Sequence, residues 1–150
     1  MFLLPSKDKL FINFSRCINW EEKYLYIIEL GDNLIFIPKN LLRIEYFITS
    51  CQSKVWIVMT VNINGIIKFY GYSDTAIIRG LITLIFIFYN GLAFFEIFNQ
   101  DIYFFFKKLS LTRYLTPSRI KGIYTILHII QIKVFSILSI FKKNKAGNEI

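Results

Sequence analysis

Hydrophobic residues recur at helical spacing in two stretches near the start of the chain, Lys7–Arg16 and Trp20–Leu30. Such spacing indicates helices with one apolar face. Asn19 has a side chain suited to cap the second helix, and Glu22 stands at the N3 position, from which a carboxylate reaches back toward the cap. Gly31 is expected to end this helix, because glycine is favoured just past a helix C-terminus.

The middle of the chain has the pattern of strands. Ile44–Ile48 is a short candidate, and Val55–Val61 and Ile66–Gly71 are rich in β-branched and aromatic residues. Asn64-Gly65 stands between the last two, and this pair is a strong signal for a tight hairpin turn. The first two strands would be joined by a loop over Thr49–Lys54.

Helical patterns return after the strands, and Ser73 reads as the N-cap of the first of them. The predicted helices are Asp74–Tyr89, Leu92–Asn99, Asp101–Leu109 and Pro117–Phe141. The predicted class is therefore α+β, with a small three-stranded antiparallel sheet packed against several helices.

Length and composition indicate one folded domain. The chain has 150 residues, of which 55% are hydrophobic and 18% aromatic, so an intrinsically disordered chain is excluded. We expect a single domain over residues 1–141. Residues 142–150 contain the one cluster of lysines and are expected to form a basic, disordered tail.

Two apolar windows, Gly80–Phe95 and Ile123–Phe141, raise the question of a membrane span. Asn90 interrupts the first window, and Lys133 near the middle of the second would cost about 3 kcal/mol in a lone span. Both windows are better explained as amphipathic core helices, so no membrane partner is expected. Membrane association through Ile123–Phe141 stays open as a further hypothesis, which pelleting with liposomes would test. The segment Met1–Pro5 lacks the features of a signal peptide, and the expected location is the cytoplasm.

The charge balance is +8, from 18 basic and 10 acidic residues. The basic residues are scattered and no RNA-binding motif is present, so no nucleic-acid partner is expected. Cys17 and Cys51 are the two cysteines, and His128 is the one histidine. Together they cannot supply a good zinc site, and no metal is expected.

Cys51 is the first candidate for chemistry, because the predicted loop would expose its thiol. A nucleophilic cysteine needs its thiolate form and access, and Lys54 could lower its pKa slightly. The competing interpretation is a surface cysteine without a role. A Cys–His hydrolase is a weaker alternative, because His128 is expected in the core or in a groove and protease signatures are missing.

Two charged residues are further candidates. Asp74 has a sufficient local explanation as a helix-start residue, where the helix dipole favours a carboxylate. Arg119 lies in the first turn of the last predicted helix, where its charge opposes the dipole, so a binding role and an ordinary exposed arginine stay equally open. Cys17 is expected to be a half-buried residue without a role.

Four blocks of the sequence resemble the SufE family: "NWEEKYLYIIELG", "CQSKVWIV", "GYSDTAIIRGL" and "LTPSRIKG". They stand in the family's order and spacing, and the likeness extends from Met1 to about Val134. The resemblance implies a SufE/NifU-like fold and a role as sulfur acceptor in iron–sulfur cluster assembly. Cys51 would carry a persulfide taken from the desulfurase SufS and pass it to the SufBCD scaffold.

The resemblance also assigns supporting residues. Gln52 would belong to the cysteine loop, Asp74 would support that region, and Arg119 would help engage the desulfurase active site. The chain itself would bind no cofactor, since pyridoxal phosphate belongs to the desulfurase, and a homodimer stays open as an oligomeric state. Ser50 and Lys54 depart from the family pattern, as do Tyr72 and Lys107 outside the loop. A non-catalytic activator of the desulfurase, in which Cys51 is incidental, therefore remains an alternative.

Overall fold

The structure is a computed structural model that describes residues 4–34, 47–48, 54–113 and 115–147, with the backbone alone at 47–48, 141 and 144–147. The elements follow in chain order: α1 (Lys7–Ser15), α2 (Trp20–Asp32), β1 (Phe47–Ile48), β2 (Val55–Val61), β3 (Ile67–Ser73), α3 (Ala76–Tyr89), a 3-10 helix (Ile97–Asn99), α4 (Ile102–Lys108) and α5 (Pro117–Gly147).

The sheet confirms the α+β class but differs from the prediction in size. Strands β2 and β3 pair antiparallel over seven residues each, from Val55 opposite Ser73 to Val61 opposite Ile67. Of the predicted third strand, Ile44–Ile48, the described part is β1, which pairs with the start of β2, and residues 44–46 lie outside the described residues. Among the described residues the sheet is thus a two-stranded ribbon with two residues of a third strand beside β2.

The hairpin between β2 and β3 forms at the predicted Asn64-Gly65 signal. Gly65 has a φ of +79°, which is the left-handed conformation that glycine adopts without strain. The side chain of Asn62 accepts hydrogen bonds from the backbone N–H groups of Asn64 and Ile66, at 2.9 Å each. This local network explains why the turn could be predicted from the sequence.

Helix α3 begins two residues later than predicted, and Ser73 is not its N-cap. Ser73 is instead the last residue of β3, because its pairing with Val55 keeps its backbone extended. Thr75 is the residue that precedes the helix. Asp74 therefore lies in the connection between strand and helix, and the prediction that it belongs to the first helical turn is wrong.

Gly31 does not end α2, which continues to Asp32. The glycine lies where α2 packs against α3, and a Cβ added to it would stand 2.5 Å from the backbone nitrogen of Gly80. A Cβ on Gly80 would stand 2.1 Å from the carbonyl oxygen of Ile27. The two glycines thus allow close contact between the helix backbones, and this contact fixes the N-terminal end of α3.

Two further boundaries differ from the sequence prediction. The predicted helix Leu92–Asn99 is reduced to the 3-10 helix, since backbone hydrogen bonds from Leu92 to Tyr89 and from Glu96 to Ala93 form separate turns there. Helix α5 continues past Phe141 to Gly147, so residues 142–147 of the expected disordered tail are helical. Lysine and alanine favour helix, which accounts for the extension.

The core lies between the sheet, α3 and the inner face of α5. Residues 80–89 of α3 are all buried, and the rings of Phe69 and Phe86 stack at 5.2 Å between sheet and helix. The buried residues of α5 recur every three to four positions: Ile123, Ile126, Leu127, Ile130 and Val134. Both apolar windows therefore contribute to the core. By length and composition alone, Pro117–Ile140 is also long and apolar enough to cross a membrane.

Candidate functional site at the end of the sheet

Cys51 and Gln52 lie outside the described residues, as do Ser50 and the rest of the segment 49–53. What the structure describes is the two chain positions that bracket this segment. Ile48 pairs with Val55, so the chain leaves and re-enters the sheet at neighbouring positions. Lys54 immediately precedes β2 and is exposed. Of the predicted loop Thr49–Lys54, Lys54 is described, and the other residues lie outside the described residues.

Asp74 is hydrogen-bonded to the backbone of Lys54, the residue that follows segment 49–53. Its Oδ1 accepts a hydrogen bond from the backbone N–H of Lys54 at 3.0 Å, and its own backbone N–H donates to the carbonyl oxygen of Lys54 at 3.4 Å. The same Oδ1 accepts from the hydroxyl of Thr75 at 3.3 Å. Asp74 therefore continues the contact between β2 and β3 by one residue and fixes the backbone three positions after Cys51.

Arg79 is a residue of this site that the sequence analysis missed. Its Nη1 donates to the carbonyl oxygen of Ser73 at 2.9 Å, and its Nη2 lies 3.8 Å from Oδ1 of Asp32. The arginine thus ties α3 to the end of β3, directly beside Asp74. One signal was available: Arg79 is the single charged residue in the sequence of α3.

An aromatic pair covers one side of the same strand end. Trp56 and Tyr72 are cross-strand partners with ring centroids 6.0 Å apart, and the guanidinium carbon of Arg79 lies 5.8 Å from the ring centre of Tyr72. Both rings are half-buried. Tyr72, which departs from the family pattern, therefore acts here as a stacking surface between the sheet and Arg79.

Arg119 makes its contacts with α2 and with the residues just before α5. It is half-buried in the first turn of α5, where its backbone N–H donates to Oγ1 of Thr116 at 3.4 Å. Its guanidinium carbon lies 5.9 Å from the ring centre of Tyr24 in α2. Arg119 thus packs against α2, whereas Asp74 is hydrogen-bonded to Lys54, the residue before β2. The helix dipole disfavours a cation in the first turn of a helix, but the ring of Tyr24 offers the guanidinium a favourable contact.

The other sulfur and the histidine are poor candidates for chemistry. Cys17 is half-buried, and its Sγ donates to the carbonyl oxygen of Asn13 at 3.5 Å. Burial, and then the nearby carboxylate of Glu22, raise the pKa of the Cys17 thiol, so little thiolate forms at neutral pH. His128 is exposed on α5 and lines an open depression, so the expectation of a core histidine is wrong and that of a groove residue holds.

Metal binding has no support among the residues that the structure describes, where no three His, Cys, Asp or Glu side chains come together. The site therefore consists of an anchored strand end, bracketed by Ile48 and Lys54 and held by Asp74 and Arg79. The bracketed segment contains Cys51 in the sequence.

Comparison with known families agrees with the four sequence blocks. The chain matches the family model of SufE, described as an Fe-S metabolism associated domain, over residues 8–134. The match contains Cys51, Asp74, Arg79 and Arg119, and it covers most of the sequence. The chain belongs to the SufE family.

Proposed function

We propose that the protein is a sulfur acceptor whose Cys51 takes sulfane sulfur from a cysteine desulfurase. The observation that supports this most directly is the hydrogen bond from Lys54 to Asp74. Three residues of chain reach at most about 11 Å, so Cys51 acts near this anchored strand end. A thiol that must enter a partner's active site gains from a fixed base, because less orientational freedom is lost on docking.

The proposed reaction is a thiolate exchange. The Cys51 thiolate attacks the terminal sulfur of the desulfurase persulfide, a new S–S bond forms on Cys51, and the S–S bond of the donor breaks. The donor cysteine leaves as a thiolate, so electrons balance without an external oxidant. Such an exchange needs one accessible thiol and no histidine. It therefore gives no catalytic role to His128, which is exposed on α5.

Each site residue has a role in this proposal. Asp74 and Arg79 hold the strand end, Gln52 belongs to the segment that carries the thiol, and Arg119 contacts the desulfurase. The partners are the desulfurase SufS, which holds the pyridoxal phosphate, and the SufBCD scaffold, which receives the sulfur. The reaction would take place in the cytoplasm, and the chain itself would need no cofactor.

The second candidate is a non-catalytic activator that binds the desulfurase while Cys51 is incidental. The departures at Ser50 and Lys54 favour it. The two proposals differ in the behaviour of Cys51→Ser, which removes the nucleophile and keeps the size of the side chain. In a desulfurase assay with cysteine as substrate, the acceptor proposal predicts that Cys51→Ser no longer stimulates the desulfurase, although it still binds the desulfurase. Full stimulation by Cys51→Ser would support the activator instead.

A further inference from the structure

Helix α5 is apolar on more than the face that packs into the core. Within Pro117–Ile140, 28% of the most apolar window is buried. A helix that is hydrophobic all round is normally enclosed by protein or by lipid. Here the inner face is enclosed by the core, whereas Ile132, Phe135 and Ile140 on other sides of the helix are exposed.

The exposed apolar residues concentrate in the C-terminal half of this helix. Ile132 is 52% exposed and Phe135 is 63% exposed. Spacing of three to four residues places them on one helix face with Ser139 and Lys142, which are exposed as well. Ile140, at 62% exposure, lies to one side of this face. We refer to Ile132, Phe135, Ser139 and Lys142 as the outer face of α5.

The charge of α5 has one sign. Its sequence carries six basic residues and no acidic one. Lys142 and Lys143 are exposed at its C-terminal end, whereas Lys133 turns inward and donates to the carbonyl oxygen of Ile57 at 3.0 Å. Large apolar side chains next to exposed lysines form a surface complementary to an apolar layer beneath negative charges.

We propose that the outer face of α5 binds the surface of a membrane that contains anionic lipid. Ile132 and Phe135 would enter the boundary between headgroups and acyl chains, and Lys142 and Lys143 would contact the anionic headgroups. The helix lies on the membrane and does not cross it, because its inner face is part of the core.

The lysines of this surface are distant from Arg119, the residue proposed to contact the desulfurase. Arg119 and Lys142 belong to the same helix and are about 35 Å apart along its axis, at 1.5 Å per residue. Membrane contact through Lys142 therefore does not cover Arg119. The membrane proposal does not rest on the sulfur-acceptor proposal, and each can fail without the other.

Vesicle flotation of the full chain tests the proposal. The probes are vesicles of equal parts phosphatidylcholine and phosphatidylglycerol, and vesicles of phosphatidylcholine alone. We expect the protein to float with the anionic vesicles at ~0.1 M salt, and to be released at ~1 M salt, where exposed charges are screened. Lys142→Gln/Lys143→Gln is expected to weaken binding at least tenfold, since each lysine near an anionic surface contributes about fivefold.

The apolar contribution is tested by Ile132→Ser/Phe135→Ser, which should also weaken binding to anionic vesicles at least tenfold. The matched control is Ile18→Ser/Leu25→Ser, which removes two exposed apolar side chains near the other end of α5, where Tyr24 contacts Arg119. Circular dichroism and thermal melting confirm that each variant is folded, and only variants that retain the wild-type melting behaviour are compared.

Three results would overturn the proposal. The first is a wild-type protein that stays at the bottom of the gradient with anionic vesicles. The second is equal binding to anionic and neutral vesicles, or no effect of the lysine variant. The third is that Ile132→Ser/Phe135→Ser abolishes self-association without vesicles but leaves flotation unchanged, because a second copy of the chain would then be the occupant of the outer face.

Discussion

The carboxylate of Asp74 accepts a hydrogen bond from the backbone N–H of Lys54, with 3.0 Å between Oδ1 and the nitrogen. The two residues are twenty positions apart in sequence, and the bond holds the chain directly after the segment that carries Cys51. Asp74, which we interpreted from the sequence as a helix-start residue, thus anchors the end of the strand.

We expect Asp74→Ala to remove this anchor. Loss of a hydrogen bond to a charged acceptor should raise the amide exchange rate of Lys54 about tenfold. Hydrogen exchange read by NMR measures this at a single residue. Asp74→Asn keeps an oxygen at the same position and is the control, with exchange close to that of the wild type. Unchanged protection of Lys54 in Asp74→Ala would mean that the strand pairing alone holds this backbone.

Arg79 should matter for sulfur transfer because it supports the strand end beside Asp74. Arg79→Met loses the hydrogen bond to the carbonyl oxygen of Ser73 and the contact with Tyr72. We expect single-turnover transfer to Cys51 to slow several-fold, because the strand end beside Asp74 loses a support. Arg79→Lys keeps a donor and should recover part of the rate. A wild-type rate in Arg79→Met would exclude this positioning role.

The contact between α2 and α3 gives a stability prediction. In Gly80→Ala the new Cβ would meet the backbone of Ile27 at 2.1 Å, so the helices must separate. We expect a loss of about 3 kcal/mol in the free energy of unfolding. Gly122→Ala is the matched control, since a Cβ there meets nothing within 4 Å. It should stabilise the protein by about 0.5 to 1 kcal/mol, because alanine favours helix over glycine.

Chemical denaturation with both variants measures these two changes under one condition. An equal effect of the two substitutions would show that the close approach at Gly80 relaxes at little cost. A loss confined to Gly80→Ala would support the tight contact that fixes the start of α3.

The pH dependence of thiol labelling distinguishes the two cysteines. Burial and Glu22 raise the pKa of Cys17. The thiolate of Cys17, which is the form that reacts with an alkylating agent, should therefore form at a higher pH than the thiolate of an ordinary cysteine. At pH 7 to 8, iodoacetamide should label Cys51 before Cys17, as read by peptide mass spectrometry. In Glu22→Gln the labelling of Cys17 should shift to lower pH. Faster labelling of Cys17 at neutral pH would contradict the assignment of Cys51 as the reactive thiol.

Local signals in the sequence predicted much of the fold. Asn19 caps α2 as expected, with its Oδ1 accepting from the N–H of Glu22 at 3.0 Å. Asp101, predicted as the first residue of its helix, is the N-cap of α4, with its Oδ1 accepting from the N–H of Phe104 at 2.9 Å. Such caps depend on neighbours within three residues, so sequence reading finds them. The turn at Gly65 is local in the same way.

The features that the sequence did not predict depend on distant partners. Ser73 has the side chain of an N-cap, but strand pairing with Val55 overrides that preference. Gly31 resembles a helix end until its contact with Gly80 is known. Arg79 reads as an ordinary helix residue until the end of β3 is placed beside it. In each case the cause is a contact made by residues far apart in the chain, which hydrophobic spacing does not encode.

Transfer of sulfur to Cys51 is the central claim, and peptide mass spectrometry tests it most directly. The protein is incubated with its cysteine desulfurase and L-cysteine, then digested without reductant. We predict an added mass of one sulfur atom on the peptide that contains Cys51, and no addition to Cys51→Ser. A protein that gains no sulfur, or gains it on Cys17, would contradict the account.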